Sequence, residues 1–268
     1  MTVTTRVRLL GRPRIERDGQ PAAPRGRKSW AVLARVALSE QPVSRAQLAR
    51  ELFGDAHDPL GALRWCAADL RRCLGRADLL RGDPLTVPRD ALWVDVWALR
   101  EGQLPVPDVG GVLLEGIELR NCPRFDTWLL LVRGACAKRS MAELRQAALW
   151  LLTAGDAEAA MIPAGRAAGL EPLDEDAQEL FLRVLVTAGH AAQASVHLSS
   201  CERAFEREGL RLSAATRAAA RAPSGALRIG VRAGVVGADI LRERASADLR
   251  TGRHAAPNSP RTTCACGG

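Results

Sequence analysis

The stretch from Asp58 to Arg76, D-P-L-G-A-L-R-W-C-A-A-D-L-R-R-C-L-G-R, constrains the fold of this chain most strongly. Apolar side chains recur in it at helical spacing, at Leu63, Ala67, Leu70 and Leu74. Its ends are marked too, because Asp58 is a favourable N-cap, Pro59 suits the first helical position and Gly75 suits the C-terminal stop. The sequence therefore predicts a helix with one buried and one exposed face.

The predicted exposed face of this helix carries Arg64, Ala68, Arg71 and Arg72. Such a face is typical of a recognition helix that enters a groove of DNA. It is equally typical of an ordinary surface helix whose arginines are solvated. The segment alone leaves both interpretations open, so its neighbours in the sequence must decide.

Length and charge narrow the class of protein. A chain of 268 residues is long enough for about two domains. The net charge is +8, and residues 1–100 hold 18 basic against 11 acidic side chains. This distribution favours a nucleic-acid-binding head on a body with another role. The N-terminus has no apolar run of a signal peptide, and no apolar segment reaches the roughly 20 residues of a membrane helix, so we expect a cytoplasmic protein.

The elements predicted around this helix follow a recognisable order. They are strands at 7–11 and 14–17, a helix at about 27–40, a second short helix capped by Ser44, the helix of 58–76, and a small sheet with a hairpin over 79–96. Strands, three helices and then a hairpin is the order of a winged helix-turn-helix of the OmpR type. In such modules the third helix enters the major groove and the hairpin wing touches the DNA backbone or the minor groove.

Several segments together resemble one family. They are V-R-L-L-G (7–11), R-K-S-W-A-V-L-A (27–34), P-V-S-R-A-Q-L-A-R-E-L-F-G-D (42–55), L-R-R-C-L-G (70–75), V-D-V-W-A-L (94–99), L-L-E-G-I-E-L-R-N-C-P-R-F-D-T-W-L (113–129) and the stretch 171–194. In this order they resemble the SARP family of bacterial transcriptional activators. The resemblance covers about residues 6–221 and implies an OmpR-like winged helix followed by a bacterial transcriptional activator domain.

The second half of the chain contains an internal repeat. L-L-T-A-G-D-A-E-A-A from Leu151 and L-V-T-A-G-H-A-A-Q-A from Leu185 are 34 residues apart, the period of a tetratricopeptide (TPR)-like helical hairpin. We expect about three such helix pairs between residues 124 and 221. The full prediction is a mainly α protein with a small β part, divided into a winged helix-turn-helix domain at 1–100, a linker at 101–122, an all-α TPR-like domain at 123–222 and a disordered basic tail at 223–268.

Residues suited to catalysis or metal binding do not form a convincing set. The four histidines are scattered, and the seven cysteines fit reduced thiols packed as small apolar side chains. The pair Cys264 and Cys266 lacks the further ligands of a tetrahedral metal site. An acidic cluster at 171–179 is explained by the positive end of a helix dipole. The sequence predicts a protein that is not an enzyme and has no cofactor.

The predicted DNA contacts follow from the winged-helix interpretation. Arg64 and Arg71 would read bases from the major groove, with Ala68 between them on the same face. Phosphate contacts are predicted for Arg27, Lys28, Ser44, Arg45, Arg72 and Arg76. Arg81 and Arg89 flank the predicted wing.

The sequence departs from the family pattern within the predicted recognition helix. Ala68 and Asp69 stand where the family has a serine-arginine pair, and Trp65 and Cys66 replace aliphatic and polar residues. We expect the Asp69 carboxylate to lie near DNA, where it would repel phosphate unless it accepts a hydrogen bond from a cytosine amine. Later in the chain, Val132 replaces an acidic residue.

The resemblance also implies partners. These are double-stranded DNA, RNA polymerase recruited to a promoter, and a second copy of the chain bound to a repeated half-site, in the bacterial nucleoid. Two alternatives stay open. The helical repeats of an adaptor would bind protein while the head binds DNA weakly or not at all, and a head that overlaps the promoter core would repress transcription.

Overall fold

The structure is a computed structural model, and it describes residues 5–221. These residues belong to one compact unit. The predicted disordered tail, with Cys264 and Cys266, lies outside the described residues.

A small sheet opens the chain. Its strands are β1 (Thr5–Arg8), β2 (Arg14–Arg17), β3 (Gln20–Ala22) and β4 (Trp93–Val94), in the spatial order β3-β2-β1-β4. β1 runs antiparallel to β2, with Val7 opposite Ile15, and parallel to β4. The β2–β3 turn lies at Asp18 and Gly19, both with positive φ, as the Asp-Gly pair predicts.

Three helices pack behind this sheet. They are α1 (Arg27–Leu38), α2 (Arg45–Phe53) and α3 (Pro59–Leu74). The Ser44 hydroxyl accepts a hydrogen bond from the Gln47 backbone N–H at 3.2 Å, which is the predicted N-cap of α2. α2 packs against α3 and against α1, so the three predicted helices of the head form one packed group.

The predicted wing differs from the structure. Residues 79–92 hold no regular hairpin; Leu85 makes an isolated antiparallel bridge to Val43 instead. The predicted strand at 92–96 is shortened to β4, and a helix, α4 (Asp95–Arg100), begins directly after it. Residues 79–92 therefore form an irregular loop in place of the predicted wing. The short strand β4, which follows this loop, joins the N-terminal sheet.

Asp95 explains why the strand ends where it does. Its carboxylate is buried and accepts hydrogen bonds from the backbone N–H groups of Leu9 and Leu10 at 2.8–2.9 Å and from that of Val96 at 2.8 Å. Burial raises the pKa of Asp95 to about 6, against the opposing effect of these donors. The carboxylate thus connects the end of β1 to the first turn of α4.

In the described part of the second half, the regular secondary structure is all α-helix. Its α-helices are α5 (Pro123–Thr153), α6 (Ala157–Leu170), α7 (Glu175–Thr187), α8 (Ala191–Arg207) and α9 (Ala214–Ala219). The repeated glycines, Gly155 and Gly189, follow α5 and α7 with φ of 81° and 86° and close the two turns. Residues 123–221 therefore contain two helical hairpins and a short α9, rather than the three pairs predicted, because the sequence repeat covers only two turns.

Buried apolar side chains continue from the head into α5. The segment 101–122 contributes Leu104, Val109, Leu113, Leu114 and Cys122 to the same apolar cluster that holds β1, α1–α4 and the first part of α5. Arg133 of α5 donates hydrogen bonds to the backbone carbonyls of Leu113 and Leu114 at 2.8 and 3.1 Å. Within residues 5–221, no helix is both long and apolar enough to span a bilayer.

Candidate nucleic-acid interface

The ends of α3 are built as its sequence predicts. The Asp58 carboxylate accepts a hydrogen bond from the Gly61 backbone N–H at 2.8 Å, and Pro59 occupies the first turn. Gly75 adopts a left-handed conformation with φ of 66°, and its backbone N–H bonds to the last turn. Sixteen residues of helix are therefore fixed by signals inside the segment itself.

The two faces of α3 are sharply different. One face is buried in the head and consists of Leu63, Cys66, Ala67, Leu70, Cys73 and Leu74, with Asp69 beside them. The other face exposes Arg64, Ala68 and Arg72, and also two large apolar side chains, Leu60 and Trp65. Leu60 and Trp65 were not predicted as contact residues, although their helical spacing with Arg64 and Ala68 places them on this face.

The prediction that Asp69 faces DNA is wrong. Its side chain is buried, at 3% relative exposure, on the side of α3 that carries Cys66 and Cys73. The carboxylate accepts a hydrogen bond from the Arg25 backbone N–H at 2.8 Å and forms an ion pair with Arg72. A carboxylate with two such donors is an internal acceptor, so the acidic residue of the predicted recognition helix does not contribute charge to the exposed face.

Three arginines converge beside the C-terminal half of α3. Arg71 is half-buried and donates to the Leu80 carbonyl at 3.2 Å. Burial lowers the pKa of Arg71, and the positive charges of Arg81 and Arg45 lower it further. Arg45 donates from Nε to the Gly82 carbonyl at 2.6 Å, and its backbone N–H donates to Asp83 at 2.8 Å. The start of α2, the end of α3 and the loop at 81–83 thus bring three like charges together, which we call the arginine cluster.

Three further predicted cations, Arg64, Arg76 and Arg89, have carboxylate partners. Arg64 lies 3.3 Å from the Asp58 carboxylate while staying largely exposed. Arg76 pairs with Asp78 at 2.8 Å, and this hydrogen bond lowers the pKa of Asp78 to about 2. Arg89 pairs with Glu101 at 2.9 Å. It also lies over the Trp97 ring, 5.4 Å from the ring centroid. These pairs are largely exposed, so each constrains its arginine only weakly.

Arg27 and Lys28 lie away from the arginine cluster, at the N-terminus of α1. Lys28 forms an ion pair with Asp55 at 3.1 Å and lies over the Phe53 ring at 5.1 Å, whereas Arg27 is exposed. Ser44 uses its hydroxyl to cap α2. The predicted site residues therefore form two groups, one around the exposed face of α3 and one at the start of α1.

Several charged and polar groups of the helical hairpins have structural partners. In the acidic cluster, Asp174 caps α7, and Glu175 accepts from the Ser213 backbone N–H and the Thr216 hydroxyl at 2.6 and 2.5 Å. Cys201 and His197 of α8 both contact the Gln178 side-chain oxygen, at 3.2 and 2.7 Å. Burial raises the pKa of Cys201 and lowers that of His197, so both groups are favoured in their neutral forms.

The cysteines of the described region agree with the packing prediction. Cys66, Cys73, Cys122, Cys136 and Cys201 are all buried free thiols. Burial raises the pKa of each of them, to about 11 at Cys136. These thiols are therefore small buried side chains rather than activated nucleophiles.

Comparison with known proteins shows a likeness among solved structures. No family model and no curated protein matches the sequence. Among solved structures, the chain is similar to Mycobacterium tuberculosis EmbR, which was solved in complex with a low-affinity phosphopeptide, with a TM-score of 0.54 and 16% sequence identity. The match covers 93% of this chain and 69% of the EmbR chain. The chain thus shares the fold of EmbR, a small sheet and an OmpR-like winged-helix head followed by a helical domain, which is the architecture that the sequence predicts.

Proposed function

We propose that this chain is a sequence-specific DNA-binding transcriptional regulator of the SARP type. The observation that carries this proposal is the exposed face of α3, where Arg64, Ala68 and Arg72 stand free of the core and Arg71 lies beside them. A helix with one buried stripe and an arginine-bearing face has the shape and charge needed in a major groove. The likeness in fold to EmbR supports the same class of protein.

Within this proposal the cations have different roles. Arg64 and Arg71 contact base edges, where a bidentate arginine–guanine pair contributes about 1–3 kcal/mol of discrimination. Phosphates are contacted by Arg72 and Arg76 and by the other two members of the arginine cluster, Arg45 and Arg81. These contacts increase the salt dependence of binding. Ser44, Arg27 and Lys28 are further phosphate contacts, and Arg89 flanks the loop that replaces the predicted wing.

A binding selection followed by gel shifts tests the recognition-helix assignment. Random duplexes are first selected with the full chain, and the double variant Arg64→Ala plus Arg71→Ala is then compared with the unmodified protein on the selected sequence. We expect the preference for that sequence over unrelated DNA to fall about 100-fold, from the loss of two bidentate contacts. Arg203→Ala, an exposed arginine on α8, serves as the control. A folded double variant that keeps full sequence preference contradicts the assignment.

The helical hairpins supply the partner surface in this proposal. α5 exposes Leu130 and Leu131, each at 70% relative exposure, which suits contact with another protein. By resemblance to the SARP family that partner is RNA polymerase or a second copy of the chain on a repeated half-site, with transcriptional activation as the outcome.

The domain limits 1–100, 101–122 and 123–222 belong to the same proposal. Limited proteolysis tests them, and a reporter carrying the native upstream region tests activation against repression.

The same exposed leucines favour one alternative function. In an adaptor, the hairpins bind a protein and the head has little affinity for DNA, because several arginines are already paired with Asp58, Asp69 and Asp78. Retention on a DNA column at graded salt separates the two functions. Retention that falls steeply with salt favours the regulator. No retention at low salt favours the adaptor.

A further inference from the structure

The exposed face of α3 carries a large aromatic side chain among its arginines. Trp65 is 52% exposed, although it belongs to a helix whose opposite face is packed into the head. Its neighbour Cys66, which also departs from the family pattern, is buried in that core. Covering exposed apolar area removes it from water and is favourable. Trp65 therefore offers contact area that the arginines of the same face do not supply.

The surroundings of Trp65 leave much of its indole ring uncovered. A helical side chain lies over the turn before it, which for Trp65 is the turn that holds Gly61. Gly61 has no side chain, and a Cβ at this position would overlap the Asp58 carboxylate that caps α3. Three residues after Trp65, Ala68 is exposed and short. The ring therefore extends beyond its neighbours on the exposed face.

Trp65 shares this face with cations that the proposed function places against DNA. Arg64 precedes it in the chain and is largely exposed, with Nη2 3.3 Å from the Asp58 carboxylate. Arg72 follows seven residues later, about two turns of helix, and its side chain is 58% exposed. A helix that enters a groove with these arginines brings the indole ring to the same groove.

The major groove offers a distinct apolar group to such a side chain. It is the methyl group of thymine, whereas the groups that identify guanine, cytosine and adenine there are hydrogen-bond donors and acceptors. A ring placed against this methyl removes apolar surface of both partners from water. Placed against the polar edge of a guanine, the same ring would cover donors or acceptors without replacing their hydrogen bonds to water.

We propose that Trp65 is a specificity-determining residue that contacts the methyl group of a thymine next to the base pair read by Arg64. This inference rests on the proposed function, because it requires α3 to lie in the major groove. Consecutive Cα atoms are about 3.8 Å apart and stacked base pairs about 3.4 Å apart, so Arg64 and Trp65 reach neighbouring base pairs. The bound sequence contains a thymine beside the guanine.

Replacement of thymine by uracil in the selected duplex tests the contact without changing the protein. The replacement removes only the methyl group and keeps base pairing and phosphates as they are. Thymines are replaced one at a time, and the affinity of the full chain is measured by gel shift. At the thymine beside the guanine we expect binding to weaken about fourfold, the effect of exposing one methyl group.

Variants of the chain assign that effect to one side chain. Trp65→Ala should bind the thymine and uracil duplexes equally, whereas Trp65→Phe keeps an aromatic ring and should retain part of the difference. Val196→Ala removes an apolar side chain of α8 that is 72% exposed, and it should retain the full difference. Because the first comparison uses the unmodified chain, it does not depend on the folding of any variant.

The outcomes separate this inference from the proposed function. If the full chain selects a sequence but tolerates uracil at every position, the thymine contact is wrong and the α3 assignment stands on the Arg64 and Arg71 variants. A folded Trp65→Ala that still distinguishes thymine from uracil beside the guanine also overturns the contact. If the full chain selects no sequence, the proposed function fails and this inference fails with it.

Discussion

Both the head and the helical hairpins contain ion pairs, and the head adds the arginine cluster to them. In the hairpins, cations face carboxylates within one helix or across neighbouring helices, as in the pairs Arg139–Glu143, Arg183–Glu179 and Arg217–Glu202. In the head, Arg45, Arg71 and Arg81 lie close together. Burial lowers the pKa of Arg71, and the positive charges of Arg81 and Arg45 lower it further. Paired charges stabilise a fold modestly, whereas crowded like charges cost stability and favour an anionic partner.

The acidic residues of the head and those of the hairpins also differ in burial. Asp69 and Asp95 in the head are buried and hold backbone N–H groups from distant parts of the chain. The carboxylates of the acidic cluster in the hairpins are more exposed and act at the first turn of α7. The head therefore uses these buried carboxylates for tertiary connections.

Among the substitutions that test this difference between the head and the hairpins, Asp69→Ala is expected to change stability most. The substitution leaves the partly buried Arg25 N–H without its acceptor and releases Arg72, so we expect the free energy of unfolding to fall by about 1–3 kcal/mol. Chemical denaturation measures it. Asp78→Ala, which removes an exposed carboxylate from the same region, is the control and should change stability far less. Unchanged stability together with tighter DNA binding would restore the earlier expectation that Asp69 faces DNA.

A smaller effect is expected from Glu175→Gln in the hairpins. Hydrogen bonds from Thr216 and Ser213 lower the pKa of Glu175 in the folded chain. Its contribution is therefore present above the unfolded pKa and is lost as pH falls through the lower folded pKa. We expect Glu175→Gln to cost about 1 kcal/mol at neutral pH and to reduce the loss of stability in acid. Thermal melts from pH 7 to pH 3 measure both, with Glu206→Gln as the exposed control. DNA binding should not change. A large change would show that the charge of Glu175 in the hairpins affects DNA binding by the head.

The smallest effect on stability is expected from Arg81→Gln. Removing one member of the arginine cluster relieves repulsion on Arg71. At low salt the free energy of unfolding should therefore rise by a few tenths of a kcal/mol, roughly, and the melting temperature should rise slightly. The same variant should lower the slope of log K against log salt for DNA by about one. Arg203→Gln is matched in charge and should change neither quantity. A lower melting temperature would show that the Nε contact of Arg81 with the Ala77 carbonyl outweighs the repulsion.

Local signals account for what could be read from the sequence about α3. Asp58, Pro59 and Gly75 define its ends through contacts within a few residues, and the apolar spacing defines its buried stripe. The same holds for the Ser44 cap and for the turns at Gly155 and Gly189. Because these interactions are short in sequence, they depend little on the rest of the chain.

The wing and the orientation of Asp69 could not be read in this way. Asp69 bonds to Arg25, 44 residues earlier, and Asp95 bonds to Leu9, 86 residues earlier. Alternating residues at 92–96 are compatible with a strand, but only Trp93 and Val94 pair with β1, and the Asp95 carboxylate turns inward to accept hydrogen bonds from Leu9 and Leu10 where α4 begins. Propensity is a weak guide where a distant partner decides the backbone conformation.

The sequence by itself determined the order of elements, the helix ends and the basic character of the head, because periodicity, caps and composition act locally. Only the tertiary structure decided which polar side chains are hidden and which meet. It buried Asp69, gathered Arg45, Arg71 and Arg81, and brought Arg120 to the start of α1. Such contacts join residues far apart in the chain, and packing of the whole unit selects them.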